Sequence, residues 1–588
     1  MLRSTRTLAS LIRSLTFGTA LVVGTTAVST TVIGCKDESQ PKYWVEKLGE
    51  NAWKARSIKR LEQFFEDALT KANKDRTRPE VTSLLDQIVE PLTQVYVNDF
   101  DTLDAKTRTG LIKLLASFQD ERTTPALKKA FEEFAKKPKE KDYEDMRWAS
   151  RATADLRKAG KGAELAEPML NAFLKLKFTS MVGGITFKDL TAAMLIKPEK
   201  SWSGPLIALL GTDIEKPKQG ELELQRQIND QIFWQTTAAR LLGEIGDPAA
   251  VEPLFMVVLD PTKGAVATTA VMALVKLGKP ATDTALKLLK GEDDKLKTHS
   301  LARMQKFTDA KEPPKDEPYM QMAAVVLGTM GRAETIPTMI EVMKAQKGGN
   351  QALVASELAK IPATDVSKAA FKEVFASQSI DSRMPPQGAN SLLALTEQAA
   401  LFFDADLTPW LLEQADKQKG SGEDVKTLQA NLTVSAMKLM KPDQVAAVKA
   451  AVEKHGTKVE KDLFAEAESL MKECGDRTAC YLERVEKSEN QDQKKQFTGM
   501  KAAYMIAILG DEAARDSLIE RLDAIENPAI RHVVANVIDR LTPQGSVEVA
   551  DKLQKIIDKN AESPDAQKAR GDQSLQGVAY RIRARAGS

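Results

Sequence analysis

The chain has 588 residues, 84 Lys+Arg against 82 Asp+Glu and a formal net charge of +2. Charged residues are 28% and aromatics only 5%, an alphabet of amphipathic helices that excludes a β-rich protein, while its recurring apolar residues exclude a disordered one. The basic surplus lies in Arg3, Arg6 and Arg13 of an otherwise uncharged leader, so nothing is left over to neutralise nucleic-acid phosphates.

The chain opens with an export pattern. Met1 to Ser14 carries those arginines and no acid, and Leu15 to Gly34 carries no charge, which are the basic and apolar regions of a signal peptide. It closes on Val32-Ile33-Gly34-Cys35 and turns polar at Lys36-Asp37-Glu38-Ser39. This ending resembles the lipobox of bacterial lipoproteins. The resemblance implies cleavage after Gly34, diacylglycerol on the Cys35 thiol, and fatty acyl chains such as palmitate holding the protein to a membrane. Lys36, where familiar sorting uses Asp to retain lipoproteins in the inner membrane, points to the outer membrane, with the protein facing the periplasm. The competing reading is an uncleaved anchor. The segment is long enough, but Thr16, Thr19, Thr25, Thr26, Thr30 and Thr31 make it a poor span. Residues 1–34 thus read as signal peptide and 35–43 as a short tether.

From residue 44 to 558 the pattern is one repeated helical hairpin. The sharpest unit runs from Ala238 to Leu254 through Leu241-Leu242-Gly243-Glu244-Ile245-Gly246-Asp247-Pro248. Apolar residues recur at helical spacing on both sides of the turn. Gly246 suits a left-handed helix end, Asp247 an N-cap, and Pro248 a first helical position. The grammar returns 32 residues later at Leu277-Gly278-Lys279-Pro280, and again at Leu327-Gly328-Thr329-Met330-Gly331-Arg332, Leu509-Gly510-Asp511 and Phe118-Gln119-Asp120. Thr124-Pro125, Thr408-Pro409 and Asn527-Pro528 repeat the cap-then-Pro start. These residues resemble HEAT repeats of the short variety, most clearly over 232–290, 320–345 and 499–541. Lys279, Arg332 and Ala405 stand near the position where the resemblance expects Asp. The implied fold is all-α, an α-solenoid of about a dozen HEAT-like hairpins. Its apolar residues form the core, with Met as gap filler.

Three stretches interrupt the repeats: Phe178 to Leu190, charged Gly291 to Pro318, and Gln378 to Asn390 with Met384-Pro385-Pro386. Each reads as a surface loop, with a binding insertion as the sharper alternative. Cys474 and Cys480 flank Gly475-Asp476, which aligns with Gly246-Asp247. Such a turn can bring two cysteines within disulfide reach, and an exported compartment is oxidising; two buried free thiols are the alternative. Lys559 to Asp572 reads as a polar linker before a last basic helix, through Arg581, Arg583 and Arg585, that caps the array over 559–588.

His299, His455 and His532 are isolated, and no phosphate loop, nucleophile elbow or His-Glu-x-x-His pattern is present in the sequence. No metal, cofactor or catalytic residue is therefore expected. The reading that fits is a non-catalytic protein-interaction scaffold, tethered through Cys35 beside envelope proteins. A periplasmic receptor for a peptide or polysaccharide is the alternative; aromatic residues gathered on one concave face would favour it, and a shallow mixed-charge face the scaffold. A bilin-lyase-like enzyme, implied only by the repeat type, comes third.

Overall fold

The computed structural model describes residues 37–178, 183–216, 218–314, 317–385, 388–486, 492–561 and 572–587. Residues 1–34, the expected signal peptide, and Cys35 lie outside them. The chain forms two compact units, one ending at Leu92 and the other beginning at Thr93.

In the first unit, helix Pro41–Lys47 packs on helix Lys54–Lys71, followed by the opening turns of helix Pro79–Asn98. Ser57, Ile58, Leu61 and Phe65 form the buried stripe of the Lys54–Lys71 helix. Trp44 is buried too, and its indole N–H donates to the Glu38 carbonyl at 2.7 Å.

The second unit is an α-solenoid of helical hairpins, most helices packing on those one or two places along the chain. Strand among its described residues is limited to the pairs Arg383–Met384 and Ala389–Asn390, which form a two-stranded antiparallel ladder. The turn chemistry explains the hairpins. Helix Leu222–Ile245 ends at Gly246 with φ 72°, and the Asp247 carboxylate accepts the Ala249 N–H at 3.1 Å. One 3-10 turn, Pro248–Ala250, then leads into helix Val251–Val258. Asp120, Asp260 and Asp404 cap the same kind of turn before helices Thr124–Lys136, Gly264–Leu277 and Thr408–Lys417. The cap expected near Ala405 is thus supplied one residue earlier, by Asp404.

Two further details differ from the sequence reading. Gln119 takes the left-handed position with φ 55°, although it is not glycine. Gly510 does not: its φ is −82°, and it is needed because a Cβ there would lie 2.3 Å from the Ile506 carbonyl oxygen.

The expected loop at Gly291 to Pro318 is mostly helix, Asp294–Thr308, with Leu296 and Ser300 buried. Similarly, Gly183–Ile196 is helical, and half-buried Phe178 and Phe233 gather around buried Phe187, with the rings of Phe178 and Phe233 stacked at 3.8 Å. A proline pair and a charge run mark a boundary without preventing a helix between them. Among the methionines, Met146, Met194, Met330, Met437 and Met505 fill the core as expected.

Buried cations complete several helix ends. The last carbonyls of a helix lack internal partners, and a cation there also meets the negative end of the helix dipole. Lys263 donates to Leu210 O, at the end of helix Ser203–Leu210. Lys501 donates to Lys438 O at 3.0 Å and Met440 O at 2.6 Å, where helix Glu423–Leu439 ends. Both acceptors are carbonyls, neither a carboxylate, and burial pushes the Lys501 pKa down to about 7.

Candidate functional site

The last helix, Gln573–Ala586, organises the candidate site. Leu575, Val578, Ala579 and Ile582 are its buried face. It packs on helices Pro528–Arg540 and Val547–Ala561, which precede it, and also on helices Gly264–Leu277 and Pro318–Met330. The first contact adds the helix to the end of the array; the second joins that end to the middle.

Asp539 ties the last helix to helix Pro528–Arg540, in which it lies. Arg585 donates to its carboxylate at 2.6 Å, and Arg581 pairs with it at 3.1 Å. Burial alone would raise the Asp539 pKa, but the two guanidinium groups hold it below the usual carboxylate value. From the middle repeats, Arg332 donates to the Ala584 carbonyl at 3.2 Å, and Lys276 sits 3.8 Å from the centre of the Tyr580 ring. Arg332 and Lys279 are two positions that depart from the capping Asp. Both line a large cavity beside the last helix, and Arg332 uses its side chain to hold that helix.

The larger cavity, about 900 Å³, has Arg240, Glu244, Lys276, Asp558, Tyr580 and Arg583 on its walls. A smaller one, about 350 Å³, is lined from helices Pro318–Met330, Pro528–Arg540 and Gln573–Ala586 and the segment around Ile361. Its floor is apolar, with Ile361, Pro362, Leu401 and Phe403; its polar groups include Lys360, Gln398, His532, Arg540 and Arg581. Gln398 Oε1 is buried there without a hydrogen-bond partner among the described residues. His532 bonds Ser574 at 2.8 Å, and burial followed by the Arg581 charge lowers its pKa. Both cavities mix charges of either sign with short apolar stretches, an arrangement suited to polar contacts with a partner surface.

The other singled-out residues lie apart from this junction. Cys474 ends helix Lys458–Cys474, Cys480 lies in the first turn of helix Thr478–Glu486, and the two are joined in a disulfide with Cα atoms 5.4 Å apart. His299 lies in helix Asp294–Thr308 and bonds the Met256 carbonyl at 3.0 Å. His455 ends helix Val445–His455 and meets Asp416 at 2.7 Å. Among the described residues no group of three His, Cys, Asp or Glu is placed to hold a metal, and no single helix is long and apolar enough to cross a membrane. Sequence reasoning missed Asp539, Arg540 and Gln398, which carry no local motif.

Comparison with known proteins agrees with the repeat grammar where that grammar is sharpest. The family model of the PBS lyase HEAT-like repeat matches residues 234–254. No curated protein matches the sequence. A solved structure described as an engineered protein from a structural genomics consortium is 14% identical, covering 92% of this chain and 98% of its own, with a TM-score of 0.25.

Proposed function

We propose that the chain is a lipid-anchored lipoprotein of the bacterial cell envelope, whose helical array is a non-catalytic scaffold for protein partners. The observation that carries the scaffold reading is the junction of the last helix with the middle repeats. It presents two broad cavities lined by Lys360, Arg540 and Arg581 on one side and Arg240, Glu244 and Asp558 on the other. Their lining mixes charges and has few aromatic side chains, which favours a protein surface over a saccharide as occupant.

The anchor reading rests on Val32-Ile33-Gly34-Cys35 behind an uncharged stretch. Acyl chains add about 0.8 kcal/mol per buried CH2, so two or three would hold the array at a membrane. An outer-membrane address follows from Lys36 after the cysteine. Metabolic labelling with a fatty acid tests this reading. The wild type should incorporate label and Cys35→Ala should remain an unlabelled, uncleaved precursor; equal labelling of both would overturn the anchor.

A further inference from the structure

We propose that the first unit carries a cradle for the phosphate of anionic lipid headgroups, built by Arg56, Lys59 and Arg60. Its setting rests on the anchor reading; its chemistry does not. The three cations and Gln63 are spaced i, i+3, i+4 and i+7 along helix Lys54–Lys71, which places them on one face. Ile58, Leu61 and Phe65 bury the opposite stripe. Together with Glu38, Ser39 and Trp44, these four residues line a cavity of about 500 Å³.

The cations are positioned but not neutralised. Arg56 lies 5.4 Å from the Trp44 ring centre and 5.1 Å from that of Trp53. Arg60 lies 4.9 Å from the Phe64 ring centre and donates to Gln63 at 2.8 Å. Among the described residues no ion pair to a carboxylate is formed by Arg56, Lys59 or Arg60, and Glu38 is the single acid lining the cavity. Like charges at i, i+3 and i, i+4 repel along a helix. An anion seated between them removes that repulsion, and guanidinium edges beside stacked faces suit phosphate oxygens.

The position of the cradle selects the lipid. Cys35 is three residues before Glu38, so the acyl attachment lies within about 10 Å of chain from the cavity wall. A bilayer surface held at that distance presents headgroup phosphates to these side chains, and each cation near an anionic surface contributes about 1 kcal/mol, roughly five-fold in affinity.

Vesicle binding tests this with the chain from Lys36 to Ser588, which contains every described residue and lacks the acyl acceptor. It should bind vesicles containing phosphatidylglycerol and not pure phosphatidylcholine. The triple variant Arg56→Ala, Lys59→Ala, Arg60→Ala should lose about 100-fold of that binding with unchanged circular dichroism, whereas Lys426→Ala, Lys458→Ala, Lys461→Ala should retain it. Equal binding to both vesicles, equal loss in the two triple variants, or full displacement by millimolar inorganic phosphate would overturn the proposal. Because Cys35 is absent from this chain, the result is independent of whether the protein is acylated; fatty-acid labelling decides that separately.

Discussion

Arg332, in the turn of a middle repeat, donates a hydrogen bond to the carbonyl of Ala584 in the last helix, 252 residues further along the chain. Solenoid stability is ordinarily a sum of neighbouring terms. This bond, with Lys276 over the Tyr580 ring and Arg585 directed at the Gly331 carbonyl, adds a long-range one.

Asp539→Ala should loosen the last helix from helix Pro528–Arg540, and with it the Arg585 side chain that reaches the Gly331 carbonyl. Asp539 is buried with Arg581 and Arg585 both directed at it, so its removal leaves two cations without their carboxylate. Breaking a buried pair costs about 3–5 kcal/mol. Hydrogen exchange should accelerate over 573–586 and around 326–332, with 105–136 unchanged. Unaltered exchange in the last helix would show that its apolar face alone holds it.

The disulfide should act locally. A sequence separation of 6 closes a short loop, which the chain-entropy account values at about 2 kcal/mol. Reduction should speed exchange over about 463–500 and leave the remaining repeats as they were. Uniform loosening, or free thiols in the untreated native protein, would contradict the pairing.

Lys501 gives a pH signature. Its folded pKa is pushed down to about 7 by burial, against about 10.4 for a free lysine. Between these values the unfolded chain binds more protons, so this residue makes stability rise with pH by up to about 1.4 kcal/mol per unit. Below about 7 its desolvation cost is fully present. Lys501→Met removes the titration while leaving the Met440 and Lys438 carbonyls without the amine at every pH. Denaturant unfolding at pH 6.5, 8 and 9.5 should therefore show the variant's stability relative to wild type falling as pH rises. A constant difference would mean that the amine stays charged in the fold.

Gly243→Ala should destabilise the sharpest repeat. A Cβ at Gly243 would lie 2.9 Å from the Ala273 Cα, so two helix backbones must separate. Overpacking of this kind costs about 1–3 kcal/mol. A lowered unfolding midpoint measures it; an unchanged one would show that the helices part freely.

The hairpins were legible because their signals are local. Gly246-Asp247-Pro248 places a left-handed residue, a cap and a helix start within three positions, and the structure uses each in that way. Cys474 and Cys480 were legible by alignment with the same turn. The helix Asp294–Thr308 was not, since its buried residues are few and prolines follow it closely. The junction of the last helix with the middle repeats was not legible either: Arg332 and Ala584 lie 252 positions apart, and such a contact leaves no period. Its one trace was the departure from a capping Asp at Arg332, whose side chain makes a contact to the last helix.

Crosslinking followed by mass spectrometry of neighbours tests the scaffold most directly, comparing the wild-type protein in its membrane with Arg540→Glu and Arg240→Glu. Both side chains line the cavities beside the last helix. The account predicts a defined set of envelope proteins crosslinked to the wild type and depleted several-fold in the variants, with helical content unchanged. The same neighbours at the same yield in all three proteins would contradict it.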